Sequence, residues 1–388
     1  MERNLTEGSV FKNIIYFSIP YLLAYFLQTL YGMADLFIIG QFEGVASTTA
    51  VSVGSQVMHM LTVMIVGLAM GATVNIGQAI GARDKKRAAV DTGNTATLFM
   101  VLSVILTVVL YFCVNGIVGI MSVPEEAAAG TAMYLKICFM GIPFITAYNI
   151  ISSIFRGMGD SKSPMYFIAI ACGVNIVLDY IFMGALHLGP SGAALGTTLS
   201  QTVSVIVALT MFIRGKTGIT VKKDDFKPRK ETMGRLLKIG FPIAMQDGLI
   251  QVAFIIITII ANRRGLTDAA AVGIVEKVIS FLFLVPSSML STVSALGAQN
   301  VGAGKTKRAK HTLYTGVGVG LSLQSRSPRS KPWIRISAEA IFVANGILCI
   351  SQSLRSENTS GSYPSALSGS RKKSTKSISL YAILAPIC

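Results

Sequence analysis

Long apolar runs dominate this chain and decide what it can fold into. Each run is close to or above the roughly 20 residues that an α-helix needs to cross a bilayer, and each is poor in charge. A series of such runs predicts an all-α, polytopic membrane protein. The eight predicted spans are residues 11–39, 46–76, 93–121, 128–155, 164–186, 192–213, 236–261 and 269–296.

The composition fits a chain that lives in lipid. Hydrophobic residues make up 52% of the sequence and charged residues only 13%, whereas soluble domains are about 25% charged. A net charge of +16 would suggest nucleic acid in a soluble chain, but most basic residues here lie in short loops between spans. We therefore expect the lipid bilayer, and not a nucleic acid, as a partner. No nucleophile–base constellation is visible, so we expect neither an enzyme nor a cofactor.

Charge is distributed unequally between alternate loops. The basic loops include Arg83–Arg87, the linker from Arg214 to Lys238, and Lys305–Lys310. In the opposite loops the only lysine or arginine residues are Arg263 and Arg264. The positive-inside rule places the basic side in the cytoplasm. The N-terminus is then cytoplasmic too, and the loop charges support eight spans independently of hydropathy.

The sequence repeats itself with an offset of about 221 residues. The stretch from Gly77 to Ala88 resembles that from Ala298 to Ala309, and the pairs Ile19-Pro20 and Ala50-Val51 resemble Phe241-Pro242 and Ala271-Val272. Six spans separate the copies, which predicts two lobes of the same orientation, a parallel repeat. The predicted divisions are an N-terminal lobe of six spans at 1–215, a basic linker at 216–235, a partial second lobe of two to three spans at 236–320, and a Ser-rich basic tail at 321–388.

Three polar residues in the first lobe are expected to lie at one depth, with a fourth one helical turn deeper. Asp35, Asp179 and Thr197 each fall about 8–10 Å below the outer end of their span, given 1.5 Å of rise per residue. Asn175 lies one helical turn deeper than Asp179, on the same face. A carboxylate at membrane depth normally faces a cavity or a partner. These oxygens suit a hard cation such as Na⁺ held by Asp35 and Asp179, and the two carboxylates could instead share a proton.

Other intramembrane polar groups are weaker candidates. Asn149 and Gln201 could face a substrate cavity or act only as hydrogen-bonding contacts between helices. In the second lobe, a cavity wall is expected from polar residues of the seventh and eighth spans, namely Gln246, Asp247, Gln251 and Glu276.

Several motifs in combination resemble the multidrug and toxin extrusion (MATE) family. They are Tyr31-Gly-Met-Ala-Asp35, Gly77-Gln-Ala-Ile-Gly81, Arg156-Gly-Met-Gly-Asp160-Ser-Lys162, Asn175-Ile-Val-Leu-Asp179 and Gly192-Ala-Ala-Leu-Gly-Thr197. The resemblance implies twelve spans in two six-helix lobes, and export of amphiphilic organic cations by antiport with Na⁺ or H⁺. It also implies a monomer in the bacterial plasma (inner) membrane, with the cation site at the positions of Asp35 and Asp179.

The chain departs from this family after about Gly320. The ninth apolar run is short, and nothing resembling spans ten to twelve follows. We expect the tail to be out of frame or disordered; a natural basic tail on a shortened transporter is the alternative. Two other functions stay open: a lipid-linked-sugar flippase, whose cavity would be basic, and an inactive truncated membrane protein.

Overall fold

The computed structural model describes residues 5–214, 219–264 and 266–325, and within these it gives only the backbone of 261–264, 266–278, 280, 282, 321 and 323–325. This part of the chain is helical and contains no β-strand, which confirms the predicted all-α class. The helices are α1 (Val10–Phe42), α2 (Val45–Gly81), α3 (Lys85–Ile120), α4 (Glu125–Met140), α5 (Ile142–Gly157), α6 (Lys162–Asp179), α7 (Gly189–Ile213), α8 (Lys230–Arg264), α9 (Leu266–Gly302) and α10 (Thr306–Ser325).

Length and composition identify the membrane-crossing helices. In the described part, six helices are long and apolar enough to cross a bilayer: α1, α2, α3, α6 with its extension, α7 and α8. The pair α4 and α5 passes the same test when taken together. The predicted eighth span lies within α9, and the side chains of its first half lie outside the described residues.

The apolar surface of α3 shows how such a helix meets lipid. Val101, Val104, Ile105, Val108 and Val109 are each more than half exposed. A contiguous exposed apolar surface of this kind is unfavourable in water and favourable against acyl chains. The interior of the first lobe lies on the other side, around Phe155 and Phe167, whose ring centroids are 5.4 Å apart.

The predicted fourth span, 128–155, is a pair of helices joined by a bend. It consists of α4 and α5, which meet at Gly141 with a bend of 49°. Pro143 lies in the first turn of α5 and has no N–H with which to continue the hydrogen bonding of α4. A Cβ at Gly141 would lie 2.7 Å from Cγ2 of Thr198, so the bend also brings this backbone close to α7.

The predicted fifth span contains a change of helix type. Helix α6 ends at Asp179, and Tyr180–Ala185 continue as a π-helix. Leu186 N–H donates to the carbonyl of Ile181 at 2.9 Å, the wider hydrogen-bond spacing of such a helix. π-helical turns are rare and concentrate at functional sites, and this one begins directly after a predicted site residue.

The two turns that follow α2 and α9 have the same geometry. The N–H of Asp84 donates to Ala79 O at 2.9 Å, and that of Lys305 donates to Asn300 O at 2.8 Å. Arg83 and Gly304 occupy the left-handed region, with φ of 59° and 72°. These pairs are all 221 residues apart, so the sequence repeat corresponds to a structural repeat.

The copies also meet each other symmetrically. A Cβ built on Gly81 would collide with the backbone of Gln299, and a Cβ built on Gly302 would collide with the backbone of Gln78. Gly77 faces Ala298, its own counterpart. A pseudo-twofold axis therefore passes between the ends of α2 and α9, at the end of the molecule that carries the basic loops.

Candidate functional site

The four polar residues predicted for a cation site converge in the first lobe. Asp35 comes from the C-terminal half of α1, Asn175 and Asp179 from the last turn of α6, and Thr197 from α7. Asn175 and Asp179 have no exposed surface, and Asp35 is 3% exposed. Helices α1, α6 and α7 pack together, and the spacing of four between Asn175 and Asp179 aims both side chains at α1 and α7. We refer to these four residues as the acidic cluster.

The acidic cluster contains more acceptors than the protein itself satisfies. Thr197 Oγ1 donates to Asp35 Oδ2 at 3.4 Å, and the side chains of Asp179 and Asn175 also approach the Asp35 carboxyl group. Yet Asp35 Oδ1, both carboxylate oxygens of Asp179 and both amide atoms of Asn175 are buried without a hydrogen bond of good geometry. Unsatisfied buried polar atoms are costly, and oxygen atoms arranged in this way suit a small hard cation or a shared proton.

Gly196 is a part of this arrangement that the sequence analysis missed. A Cβ at this position would collide with Oδ1 of Asp179 and lie 3.7 Å from Nδ2 of Asn175. The missing side chain lets the backbone of α7 sit against the carboxyl group of α6. The small-residue run Gly192-Ala-Ala-Leu-Gly196 was a visible signal, but its meaning depends on knowing that α7 packs on α6.

Three further side chains of α1 and α4 lie within electrostatic range of Asp35, as does Cys172 of α6, and these three were also missed. Tyr31 is one turn before Asp35 on α1. Tyr134 and Cys138 come from α4. Only Tyr31 carried a signal in the sequence, because residues four apart on a helix share a face.

The remaining first-lobe candidates differ in their surroundings. Asn149 is 4% exposed, and its amide donates to Ile145 O of its own helix at 2.8 Å. Gln201 is 6% exposed, lies one turn after Thr197, and has an Oε1 without a hydrogen-bond partner. Gln201 therefore extends the polar face of α7 inward from the acidic cluster, whereas Asn149 is engaged within α5.

The second-lobe candidates lie on a separate surface. Gln246, Asp247 and Gln251 are half-buried on α8, and among the described residues no hydrogen bond joins them to the acidic cluster. Glu276 lies in α9, where the structure describes its backbone but not its side chain. The prediction for this side chain therefore lies outside the described part of the chain.

Comparisons with known proteins identify the family. The MatE family model matches residues 20–181 and 242–325. The chain is 29% identical over 319 residues to the probable multidrug resistance protein YoeA of Bacillus subtilis (strain 168), covering 80% of this chain and 69% of that protein. It is 26% identical over 307 residues to the multidrug export protein MepA of Staphylococcus haemolyticus (strain JCSC1435), covering 79% and 68%.

A solved structure shows the same fold. It is an outward-facing conformation of a multidrug resistance MATE family transporter of the MOP superfamily, with a TM-score of 0.79 and 23% identity, covering 91% of this chain and 85% of the other. The family model spans more than half of the sequence and includes the helices that carry Asp35 and Asp179. With the repeated, all-helical membrane architecture described above, this match establishes that the chain belongs to the MatE family.

Proposed function

We propose that this chain is a secondary active multidrug exporter, which moves amphiphilic organic cations outward in exchange for Na⁺ or H⁺. The observation that carries the proposal is the acidic cluster, with two buried carboxyl groups and five buried polar atoms that lack hydrogen bonds. The relatives described as multidrug resistance and export proteins support the same substrate class.

The acidic cluster would bind the coupling ion. Asp35 and Asp179 supply carboxylate oxygens from two helices, and Asn175 and Thr197 supply neutral oxygens. Two close carboxylates repel each other when both are charged, so a bound cation or proton stabilises the contact between α1 and α6. Release of that ion weakens the same contact, which gives α1 two states that differ in ion occupancy.

Export would use the two lobes in alternation. The lobes meet at the basic end through α2, α8 and α9, where glycines bring backbones together. The proposed cytoplasmic location of this end follows from the positive-inside rule. Each charge that moves inward through the membrane potential supplies about 2.3 kcal/mol per 100 mV. The half-buried polar surface of α8 would receive the organic cation.

One observation favours a second candidate, a flippase for a lipid-linked, phosphate-bearing sugar. Arg156 is only 9% exposed, its guanidinium lies 4.9 Å from the ring centroid of Tyr21, and no carboxylate pairs with it among the described residues. A buried guanidinium can recognise phosphate. The buried charged groups of the acidic cluster, Asp35 and Asp179, are both acidic. This favours the cation exporter.

Ethidium efflux in membrane vesicles tests the proposal. Vesicles containing the full chain receive a Na⁺ gradient or a pH gradient separately, and efflux that follows one gradient names the ion. Asp35→Asn combined with Asp179→Asn is expected to abolish efflux under both gradients while the protein remains in the membrane. Asp224→Asn, which changes an exposed linker carboxylate, is the matched control and keeps efflux at the parental rate.

Two results would contradict the proposal. Parental efflux in the double variant would show that the acidic cluster does not couple an ion. Absence of ethidium efflux in the parent, with correct membrane insertion, would favour an inactive protein. A flippase would show gradient-dependent transfer of a phosphate-bearing lipid that Arg156→Gln removes.

A further inference from the structure

A cavity of 270 Å³ lies between the first turns of α3 and α8, and none of its lining residues belongs to the acidic cluster. Its walls come from both lobes, because α3 belongs to the first copy of the repeat and α8 begins the second. Four of its nine lining residues are basic, namely Lys86 and Arg87 on α3 and Arg229 and Arg235 on the α8 side, and three are acidic. Nothing in the proposed ion or drug transport uses this cavity.

A buried carboxylate anchors the cavity wall. Asp91 has no exposed surface and lies 3.7 Å from Nε of Arg87 and 3.6 Å from a terminal nitrogen of Arg235. Both of its oxygens lack a hydrogen bond of good geometry, as does Nε of each arginine. Asp91 therefore holds two guanidinium groups beside the cavity without saturating their donors.

The other acids of the cavity are already engaged. Glu231 pairs with Arg235 at 3.1 Å, and Asp84 accepts the backbone N–H of Arg87 at 2.9 Å as the N-cap of α3. Lys86 and the guanidinium of Arg229 are exposed, and neither side chain has an acceptor among the described residues. The unpaired donors of Lys86 and Arg229 thus carry positive charge at the rim of the cavity. An anionic ligand is the kind of ligand that they would bind.

The positive-inside rule would place this basic end of α3 and α8 at the cytoplasmic lipid headgroups. Its α3 residues fall in the first two turns, before the lipid-facing stretch that begins near Val101. Further cations neighbour the lining residues in the sequence, namely Arg83, Lys85, Lys227 and Lys230. Basic pockets between membrane helices on the cytoplasmic side bind acidic lipid headgroups, and Lys and Arg are the side chains that contact phosphate.

We propose that this cavity binds a phosphate group, with Lys86 and Arg229 on the phosphate oxygens and Arg87 and Arg235 behind them, and that an acidic phospholipid supplies it. Such a headgroup contacts both lobes at once. It therefore stabilises the arrangement in which the first turns of α3 and α8 are adjacent, and links lobe movement to membrane composition.

Lipid titration of the purified full chain tests this proposal. Dihexanoyl-phosphatidylglycerol is titrated into the protein in a neutral detergent, with dihexanoyl-phosphatidylcholine as the zwitterionic comparison and inorganic phosphate as a separate arm. The parent is expected to bind the phosphatidylglycerol and not the phosphatidylcholine. Lys86→Gln combined with Arg229→Gln is expected to weaken that binding by about tenfold or more, since two charge-assisted contacts to the phosphate are lost.

The matched control removes the same charge from the same surface. Lys222→Gln with Lys223→Gln changes two exposed linker lysines outside the cavity and is expected to bind phosphatidylglycerol like the parent. Equal weakening in both double variants would overturn the cavity in favour of general surface charge, and unchanged binding in the cavity variant would overturn it outright. Inorganic phosphate binding as tightly as the lipid would keep the site but reassign its occupant to free phosphate. Thermal unfolding of each variant without lipid reports whether the fold is intact.

Discussion

In the first copy of the repeat, α1 carries Asp35 to the level where α6 and α7 supply Asp179 and Thr197. In the second copy, the aligned position on α8 is Ile256 or Ile257, and both side chains are about half exposed. The turns after α2 and α9, by contrast, share hydrogen bonds, left-handed residue and spacing. Within the described residues, the two copies thus share the geometry of these turns, whereas the carboxylate of Asp35 has no counterpart at the aligned position of α8.

The largest expected difference between the copies concerns Asp91 and its counterpart Thr312. Asp91→Asn leaves Arg87 and Arg235 beside each other without a buried counter-charge, and is expected to lower the free energy of unfolding by about 3 kcal/mol. Thr312→Val removes only a hydroxyl that donates to Arg308 O at 2.9 Å, for a loss of about 1 kcal/mol. Unfolding of both variants in one detergent measures the difference. Equal losses would contradict the role given to the carboxylate.

The next prediction tests the symmetry of the lobe contact. Gly81→Ala and Gly302→Ala each place a Cβ against a glutamine backbone, so each is expected to cost about 1–3 kcal/mol of stability. Gly234→Ala is the control, because its Cβ would meet open space in α8. Thermal unfolding checks all three. A loss at one of the paired glycines without a similar loss at the other would break the pseudo-twofold relation.

A smaller effect is expected at the acidic cluster. Gly196→Ala displaces the Asp179 carboxyl group and should raise the Na⁺ or H⁺ concentration for half-maximal efflux about tenfold, equivalent to about 1.4 kcal/mol. Gly173→Ala changes a glycine of α6 whose Cβ would meet nothing within 4 Å, and should leave the ion dependence unchanged. A fall in maximal rate with an unaltered ion dependence would assign Gly196 to helix packing alone.

The smallest expected effect concerns a hydrogen bond between the lobes. The hydroxyl groups of Tyr25 and Ser291 lie 3.2 Å apart, so Tyr25→Phe should lower the free energy of unfolding by about 1 kcal/mol. Tyr21→Phe removes a buried hydroxyl that has no partner and should not destabilise the protein. Chemical unfolding of the two variants measures both changes in the free energy of unfolding. A larger loss of stability for Tyr21→Phe than for Tyr25→Phe would refute the prediction.

The sequence predicted the helices and brought the residues of the acidic cluster to a common level because both inferences depend on fixed geometry. Apolar length defines a membrane span, and the rise per residue places Asp35, Asp179 and Thr197 at one level. The repeat at Gly77–Ala88 gave the relation between the lobes. These inferences need only one helix or two aligned segments at a time.

What the sequence missed depends on contacts between helices. The bend of 49° between α4 and α5 lies at Gly141 and Pro143. Apolar content alone does not predict this bend. The π-helix at Tyr180–Ala185 has no recognisable sequence signal. Gly196 became meaningful only when α6 was placed against α7, and the Asp91 cavity required the position of the linker.

The glycine contacts at Gly81 and Gly302 have a consequence for how fast the two halves could part. At each contact a glycine meets main chain, so neither Gly81 nor Gly302 has a side chain that must change rotamer when the surfaces separate. Separation is opposed by the loss of van der Waals contact at these two points and by side-chain contacts beside them, such as the 2.9 Å hydrogen bond from the Gln299 amide to Gly157 O. The side chains beside the glycines, and not the glycines themselves, therefore limit the rate at which the halves part.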